Sequence, residues 1–421
     1  MAEEGLGLEV AQDDSTKLSL RSALSVLAQT PVSQLLGKRL GAVHFDAIVV
    51  GLGAMGSATL FHLARRGVRV LGLEQFSPGH QFGSSHGDSR IIRETYFEHP
   101  LYVPLVQRAH ELWRDLEATS GKSLMTITGG LMIGPPDGSV VSGTLRSARE
   151  HGLPHEILTP SAVHDRFPAF ELAADLVAVM DPRAGYLDPE ACNSAHIDAA
   201  RNAGAEARFD EPLIEWNPDG NGVRVRTQSR SYTADQLVLA GGAWTSSLAR
   251  DLGLPLTVER QTVFWFESDR LNSSYGAPDF PIYAYEYKPG HICYGFPRLP
   301  RGMKASVMHS GELARDAESV RRTVKDEEVK PLRAALRPVL PQLAEAALRE
   351  NSVCIFTNTP DHDFIIDFHP KHRQVLISSP CSGHGFKFAS AIGELQADLI
   401  TGGNARFDLS PFRATRWSNS G

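Results

Sequence analysis

Four short segments of the chain hold residue types that could do chemistry together. A glycine-rich turn, Gly51–Gly56, is followed by Ser85–Arg93, which contains one histidine and two arginines. Far downstream lie Cys354 and a second glycine-rich segment, Ser382–Lys387, which ends in a lysine. The turn alone is compatible with many functions. The later segments narrow the choice, because their arginines and lysine suit an anionic substrate.

The glycine-rich turn lies inside a predicted β-α-β unit. Asp46–Val50 is a short, β-branched strand that ends at a glycine, and Met55–Arg66 has helical spacing with Gly67 just beyond it. Val68–Leu73 is predicted as the second strand, and Glu74 follows it directly. The unit therefore predicts the start of a dinucleotide-binding domain.

Each glycine of the Gly51-x-Gly53-x-x-Gly56 pattern has a predicted role. The first permits the tight turn, the second lets a pyrophosphate approach the backbone, and the third lets the helix pack against the strand. The N-terminus of that helix offers free N–H groups and about half a positive charge to the phosphates. Glu74 is predicted to accept hydrogen bonds from the adenosine ribose and to repel a 2′-phosphate. The motif does not distinguish NAD from FAD.

Size and composition predict a globular protein with two domains. The chain has 421 residues, more than one ordinary core holds, and 42% of them are hydrophobic and 22% charged. The net charge of −7 gives no support to binding of nucleic acid or of an anionic membrane. The longest uncharged run, residues 47–64, contains three glycines in a strand–turn–helix pattern, so no membrane span is predicted there.

The spacing of cysteines and histidines indicates neither disulfides nor metals. The four cysteines form no CxxC pair, which suits a reducing compartment, and the 16 histidines form no zinc pattern. We therefore expect no metal site. Residues 1–44 are too acidic for a transit peptide. They are interpreted as an appended extension of a cytoplasmic protein, with a short amphipathic helix over Ser15–Gln29.

The remaining elements predict a second domain interleaved with the first. Helices are predicted at Tyr102–Ser120, Pro189–Ala203, Asp316–Ala347 and Lys387–Thr401, and strands at Ser231–Ala240, Asp363–Asp367 and Val375–Ser378. Residues 256–309 alternate aromatic and β-branched residues between Pro/Gly turns, which is typical of antiparallel sheet. The predicted fold class is α/β and α+β. A Rossmann-like domain of residues 45–96, 185–255 and 350–412 is interleaved with a mixed or antiparallel-sheet substrate domain of residues 97–184 and 256–349.

Four motifs, in order, are similar to those of one known family. Gly83–Arg93, Cys354–Asp361, Phe364–Asp367 and Ser382–Phe388 together resemble the monomeric sarcosine oxidase and N-methyltryptophan oxidase family, which also includes pipecolate oxidase. The resemblance runs from about residue 46 to residue 412. It implies that the Rossmann-like domain binds FAD. It also implies an enzyme that oxidises a C–N bond of a secondary amino acid to an imine and passes the electrons to oxygen, giving hydrogen peroxide.

The resemblance implies roles for residues around the flavin. Cys354 is similar in position to the cysteine that forms a thioether to the flavin 8α-methyl group. Arg93 and Lys387 resemble the clamp for the substrate carboxylate, and a guanidinium fork with an ammonium suits that task. His86 and Arg90 resemble residues that lie against the isoalloxazine ring.

Further roles follow from the same resemblance. Lys304 resembles the lysine that promotes reaction with oxygen, because a nearby cation stabilises a developing superoxide. Tyr294 is a candidate wall of the substrate pocket. Gly383 and Gly385 precede a helix whose N-terminus is expected to stabilise negative charge on the reduced flavin. The other predicted cofactor-binding residues are Ser85 and Gly241.

Three positions depart from the family pattern. Met308 stands four residues after Lys304, where a histidine is usual, and Phe356 stands where an aromatic hydroxyl often follows the flavin-linked cysteine. Pro380-Cys381 replaces a small residue followed by an aromatic one. All three changes are expected to border the substrate pocket. They put sarcosine itself in doubt as the substrate.

Three alternatives to the oxidase remain open at this point. A flavin dehydrogenase would oxidise the same amines with another acceptor. An NAD-linked dehydrogenase would leave Cys354 and Ser382–Lys387 unexplained, and a flavin-binding protein without catalysis would account for Met308 and Phe356. The expected partners are a small amino-acid substrate and O2, with neither nucleic acid nor membrane, and the expected state is a monomer.

Overall fold

The computed structural model describes residues 1, 42–269, 275–277 and 279–417. The chain divides into two units, residues 1–43 and 44–421, and the description below concerns the second. The helix predicted over Ser15–Gln29 lies outside the described residues.

Twenty strands in the described part of the chain form three sheets. In chain order they are β1 (Val43–Val50), β2 (Val70–Leu73), β3 (Arg90–Ile92), β4 (Met125–Ile127), β5 (Gly130–Gly134), β6 (Glu156–Leu158), β7 (Val177–Asp181), β8 (Gly185–Leu187), β9 (Glu206–Arg208), β10 (Leu213–Asp219), β11 (Gly222–Thr227), β12 (Ser231–Leu239), β13 (Thr257–Glu267), β14 (Ile282–Lys288), β15 (His291–Leu299), β16 (Gly302–Val307), β17 (Leu313–Ala314), β18 (Ala347–Asn358), β19 (Ile365–Phe368) and β20 (Val375–Ser379).

The helices of the same residues are mostly short. The α-helices are α1 (Ala54–Arg65), α2 (Val103–Ser120), α3 (Ser139–Glu150), α4 (Pro160–Arg166), α5 (Pro189–Asn202), α6 (Thr245–Leu248), α7 (Lys330–Leu336), α8 (Pro341–Glu345) and α9 (Ala389–Ile400). Short 3-10 helices lie at Pro100–Tyr102, Gly242–Trp244, Arg250–Leu252, Asp326–Val329, Phe386–Phe388 and Ser410–Phe412. Among the described helices, none combines the length and the apolar composition that crossing a membrane requires.

The first sheet has eight strands and contains the predicted β-α-β unit. Its order is β10-β11-β12-β1-β2-β9, with β20 paired to β12 and β19 paired to β20. Strands β1 and β2 are parallel, as the unit requires, and helix α1 between them packs against α5 and α9. Residues 47–50 of β1 are buried in succession, so both faces of the sheet are covered there, which is why this part of the strand is an unbroken apolar run.

The second sheet has nine strands in the order β17-β13-β16-β15-β14-β5-β7-β6, with β18 paired to β13. Most pairs are antiparallel, as predicted, but β14 and β5 are parallel. A third sheet joins β3, β8 and β4. The predicted mixture of α/β and α+β architecture is confirmed. The division into two interleaved domains stays a prediction, although the two large sheets draw their strands almost entirely from the two predicted sets of segments.

Two sequence predictions of helices differ from the structure. Within the predicted helical region 316–347, only Asp326–Val329, α7 and α8 are helical. Pro338 and Pro341 interrupt this region, because a proline removes a backbone donor and restricts the residue before it. Helix α3 was not predicted; it begins after Gly138, between two strands of the second sheet.

Candidate active site

One cavity of about 860 Å³ brings the predicted site residues together. It runs from the β1–α1 turn, past residues 74–98, to the face of the second sheet and the segment 378–387. Of the predicted residues, all line this cavity except Gly56, His86 and Lys304. Gly56 lies inside the turn, whereas His86 and Lys304 are buried and contact the lining residues Cys354 and Ser89, respectively.

The β1–α1 turn has the close contacts that its glycines predict. Gly51 has a φ of +89°, which favours glycine. A Cβ on Gly56 would lie 1.7 Å from the carbonyl oxygen of Gly51, so only glycine fits there. At the start of α1 the N-cap residue, Gly53, has no side chain to cap the helix, and Ser85 Oγ accepts a hydrogen bond from the N–H of Ala54 at 3.2 Å. A free helix N-terminus bordered by a hydroxyl suits a diphosphate.

Glu74 also holds the turn in place. One carboxylate oxygen accepts the N–H of Leu52 at 2.8 Å, and the other accepts the N–H of Phe76 at 3.1 Å. The side chain lines the cavity and is buried. The chemistry of this end therefore fits the adenosine diphosphate part of a dinucleotide.

The thiol of Cys354 lies beside two nitrogen-bearing side chains, those of Arg90 and His86. Arg90 Nη2 is 3.4 Å from the sulfur and His86 Nε2 is 3.5 Å from it. Burial by itself raises the pKa of Cys354, but the charge of Arg90 and the contact with His86 outweigh it and lower the pKa to about 6. At neutral pH the sulfur is therefore mainly a thiolate, the nucleophilic form.

Lys304 is held by oxygen atoms of the loop that precedes β3. Its Nζ donates to the carbonyl oxygens of Gly87 at 2.6 Å and Ser89 at 2.7 Å, and to Ser89 Oγ at 3.2 Å. Burial and the nearby Arg90 lower the pKa of Lys304, whereas these three acceptors favour the ammonium form. The lysine thus supports the loop that precedes Arg90, and Ser89 of this loop lines the cavity.

The predicted carboxylate clamp surrounds one aromatic ring. The Tyr96 ring lies 4.2 Å from the Arg93 guanidinium carbon and 5.1 Å from Lys387 Nζ. Glu98 pairs with Arg93 at 2.5 Å. Burial and the charge of Arg93 lower the pKa of Lys387 to about 7, while Glu98 acts in the opposite direction. Two cations therefore share a buried corner of the cavity, with one internal carboxylate as counterion.

Hydrogen bonds fix the position of Lys387. His384 Nε2 lies 3.0 Å from the carbonyl oxygen of His362, so Nε2 carries the proton and Nδ1 accepts from the Tyr96 hydroxyl at 2.6 Å. Lys387 Nζ donates to the carbonyl oxygen of His384 at 2.5 Å. Burial lowers the pKa of His384 to about 4, so this histidine is neutral at physiological pH.

The face of the second sheet forms the opposite wall. On β15 the alternate residues Ile292, Tyr294 and Phe296 line the cavity. Met308 also lines it, whereas the side chain of His309 turns to Glu259, with Nδ1 3.1 Å from a carboxylate oxygen. The other departures from the family pattern, at Phe356 and Pro380-Cys381, line the cavity as well. The glycine segment beside them has Gly383 at a φ of +78°, close to the Phe356 ring.

Several residues that organise this site were not predicted from the sequence. Glu190 accepts the N–H groups of Gly87 and Asp88, at 2.5 and 3.2 Å, and so holds the loop before β3. Tyr96 and Glu98 complete the cationic corner. Glu190 lies 103 residues from Gly87 along the chain. Only Tyr96 and Glu98 could have been linked to the site from the sequence, because they follow Arg93 by three and five residues.

The expectation that the chain has no metal site stays a prediction. Asp251, His369 and His372 form a cluster of ligand types in the described residues. The N–H of Lys371 donates to His369 Nδ1 at 3.2 Å, so His369 Nε2 carries the proton and donates to Asp251 at 2.9 Å. That arrangement leaves His369 without a free lone pair for a metal.

The chain is similar to known proteins over most of its length. A family model described as FAD dependent oxidoreductase (DAO) matches residues 46–399. The chain is 42% identical to a monomeric sarcosine oxidase of Streptomyces avermitilis over 376 residues, 88% of this chain and 97% of that protein. It is 33% identical to an N-methyl-L-tryptophan oxidase of Salmonella agona over 386 residues, 89% of this chain and 100% of that protein.

Solved structures are similar over the same span. NikD, described as an unusual amino acid oxidase essential for nikkomycin biosynthesis, has a TM-score of 0.76 at 25% identity, covering 88% of this chain and 97% of that one. The L-proline dehydrogenase from P. horikoshii shares the fold, with a TM-score of 0.78 at 20% identity over 90% of this chain and 99% of that one.

Proposed function

The chain belongs to the family of FAD-dependent oxidoreductases, and on that premise we propose that it is an oxidase of secondary amino acids, N-methyl or cyclic. The reaction would convert the C–N bond to an imine, with hydrogen peroxide as the second product. The observation that carries the proposal is the convergence of Arg93 and Lys387 at one end of a cavity whose other end is a dinucleotide turn.

The described residues fit FAD along the length of the cavity. Gly51, Gly53 and Ser85 would hold the diphosphate, and Glu74 would hold the ribose. Gly241, Gly383 and Gly385 would let the backbone approach the cofactor closely, and Arg90 and His86 would lie beside the flavin. When bound, FAD supplies the acceptor for a hydride equivalent and passes two electrons to oxygen.

We propose that Cys354 forms the thioether to the cofactor. Its lowered pKa supports this role, because the thiolate is the form that attacks an electron-poor carbon. The new C–S bond would replace a C–H bond of the 8α-methyl group, with the proton released and two electrons left on the flavin for O2 to take up. Cys381 also lines the cavity, but burial raises its pKa to about 11. Of these two cysteines, only Cys354 is therefore prepared as a nucleophile.

The two cations would bind and orient the substrate. Arg93 and Lys387 would hold the carboxylate, so that the C–N bond lies over the flavin. The substrate gives up a hydride from carbon and a proton from nitrogen, and O2 takes up two electrons and two protons. Water then hydrolyses the imine of an N-alkyl substrate to an aldehyde and a shorter amine.

The test is anaerobic bleaching of the protein's flavin absorbance by sarcosine, N-methyltryptophan, other N-methyl amino acids, pipecolate and proline. We expect at least one to bleach the flavin and the colour to return in air with one hydrogen peroxide per turnover. Methyl esters of the same compounds, which lack the carboxylate charge, are the matched controls and should react far more slowly. A yellow protein that no member bleaches would contradict the proposal and favour a flavin protein without catalysis.

A dehydrogenase with another acceptor is the second candidate. It is favoured by the contacts of Lys304, whose Nζ donates to three loop oxygens and which does not line the cavity. If the lysine promotes reaction with oxygen, Lys304→Met should slow reoxidation by about 100-fold or more and flavin reduction much less. Equal effects on both half-reactions would remove that role, and slow recolouring of the wild type in air would identify the dehydrogenase.

We further propose that the protein acts as a monomer in the cytoplasm. The four cysteines, all free, are compatible with a reducing compartment. Sedimentation of the purified protein at several concentrations tests the first part of this proposal.

A further inference from the structure

We infer that the substrate carries an apolar side chain or ring on its α-carbon, and that Met308 and Ile292 belong to the wall that selects it. The inference rests on the proposed function and adds a substrate class to it. Sarcosine, which has only hydrogen atoms in place of such a side chain, would be a poor substrate.

The selecting surface is an apolar wall made of Ala284, Ile292, Tyr294, Phe296 and Met308. All five residues line the cavity. Tyr294 lies opposite Ala284 on β14, and the N–H of Met308 donates to the carbonyl oxygen of Ile292 at 2.8 Å. The register of three neighbouring strands therefore places these side chains side by side on one face of the sheet.

The apolar wall adjoins the cationic corner through Phe97. This ring packs against the same hydrophobic cluster as Ile292 and Tyr294, and it also lines the cavity. The guanidinium carbon of Arg93 lies 4.0 Å from the centre of the Phe97 ring. A substrate whose carboxylate is held by Arg93 therefore has the apolar wall within reach of its α-carbon substituent.

The wall offers carbon surface and few hydrogen-bonding partners. Its one side-chain hydroxyl, on Tyr294, interacts with Ser306 of the neighbouring strand, and burial raises the Tyr294 pKa. A polar substituent held against these five side chains would lose its bonds to water without replacement, because the amide of Gln261, which also lines the cavity, is not part of this surface. An apolar substituent gains from burial, and one methylene in such a pocket changes kcat/KM by roughly 10- to 200-fold.

The test compares three substrates by stopped-flow reduction of the flavin and by kcat/KM. N-methyl-L-leucine and N-methyl-L-asparagine have nearly the same shape and differ in polarity, and sarcosine lacks the side chain. We expect the leucine compound to exceed both others by about tenfold or more. Equal or better turnover of sarcosine or of the asparagine compound would overturn this inference alone, whereas no reduction by any secondary amino acid would overturn the proposed function as well.

Variants of the apolar wall locate the selection. Met308→Gln keeps the length of the side chain but adds polarity, and should lower the ratio of leucine to sarcosine activity by about tenfold. Ile292→Thr keeps the β-branch that suits a strand, so it carries the test if the first variant fails to fold. Ile157→Thr is the matched control, because Ile157 is 55% exposed on β6 and does not line the cavity. Unchanged ratios in both wall variants would overturn the assignment.

Discussion

The two ends of the cavity are built from different parts of the chain. At the dinucleotide end the shape is made by backbone, within the six residues of Gly51–Gly56 and the acidic residue that follows β2. At the substrate end it is made by side chains from distant segments: Arg93 before α2, Lys387 before α9 and Met308 after β16. At Gly51 and Gly56 the dinucleotide end has no room for an added atom. At the substrate end, the charge, size or polarity of one side chain can be changed separately.

The largest effect is expected where the backbone contacts are closest. Gly56→Ala places a Cβ against the carbonyl oxygen of Gly51, so α1 cannot keep its position. We expect loss of bound flavin and a decrease of about 3 kcal/mol or more in the free energy of unfolding. Denaturant unfolding and the flavin-to-protein absorbance ratio measure both quantities.

Gly53→Ala, in the same turn, tests whether the loss of stability is specific to the glycine that packs against backbone. A Cβ there meets only Ser85 Oγ, at 3.4 Å, and extends toward the cavity. It should weaken flavin binding while changing the free energy of unfolding by less than about 1 kcal/mol. If both variants lose stability equally, the distinction between a packing glycine and a cofactor-facing glycine is wrong.

The second effect concerns the attachment of the flavin. Cys354→Ser should convert acid-stable flavin into flavin that trichloroacetic acid extracts completely, because a serine hydroxyl is not ionised at neutral pH. Cys381→Ser is the matched control, since its thiol also lines the cavity but has a raised pKa. Retention of acid-stable flavin in the Cys354 variant, or its loss in the control, would exclude the proposed tether.

The third effect lies at the substrate end. Arg93→Ala leaves Glu98 without its ion-pair partner and removes the fork that would bind a carboxylate. We expect kcat/KM for the best substrate to fall by about 100- to 1,000-fold, equivalent to about 3 to 4 kcal/mol, with the flavin still bound. Arg349→Ala, at an exposed ion pair with Glu267, should leave kcat/KM unchanged. A small effect of Arg93→Ala, or one confined to stability, would place the clamp elsewhere.

The same contrast explains how much of the molecule could be predicted from its sequence. The β1-α1-β2 unit was predicted nearly to its ends, because glycine spacing, strand composition and helix termination are local signals. The antiparallel sheet of residues 256–309 was also predicted from local signals, the alternation of aromatic and β-branched residues between turns. The region 316–347 was assigned too much helix, because its prolines break a pattern that otherwise favours helix.

Side-chain contacts between distant segments could not be predicted in this way, because no local sequence pattern indicates them. Arg93, Lys387 and Cys354 were found through a family resemblance. Their partners were not predicted: Glu190 stabilises the loop before β3 from helix α5, and Tyr96 separates two cations that lie far apart in the chain. These contacts depend on tertiary packing, in which a residue's neighbours are set by the fold and not by its spacing along the chain.

The smallest effect is a pH dependence at the cationic corner. With the pKa of Lys387 lowered to about 7, the lysine loses its proton as the pH rises through neutrality in the substrate-free enzyme. A bound carboxylate favours the ammonium, so it must raise that pKa, and binding is strongest below pH 7.

We expect the affinity for butyrate, which has no amine to titrate, to fall by about tenfold between pH 6 and pH 8, as measured by perturbation of the flavin spectrum. Lys387→Met should bind butyrate more weakly at pH 6 and show no such decline. A decline that persists in this variant would show that a group other than Lys387 titrates. Carboxylate binding at this end of the cavity would then depend less on Lys387 than its position beside Tyr96 indicates.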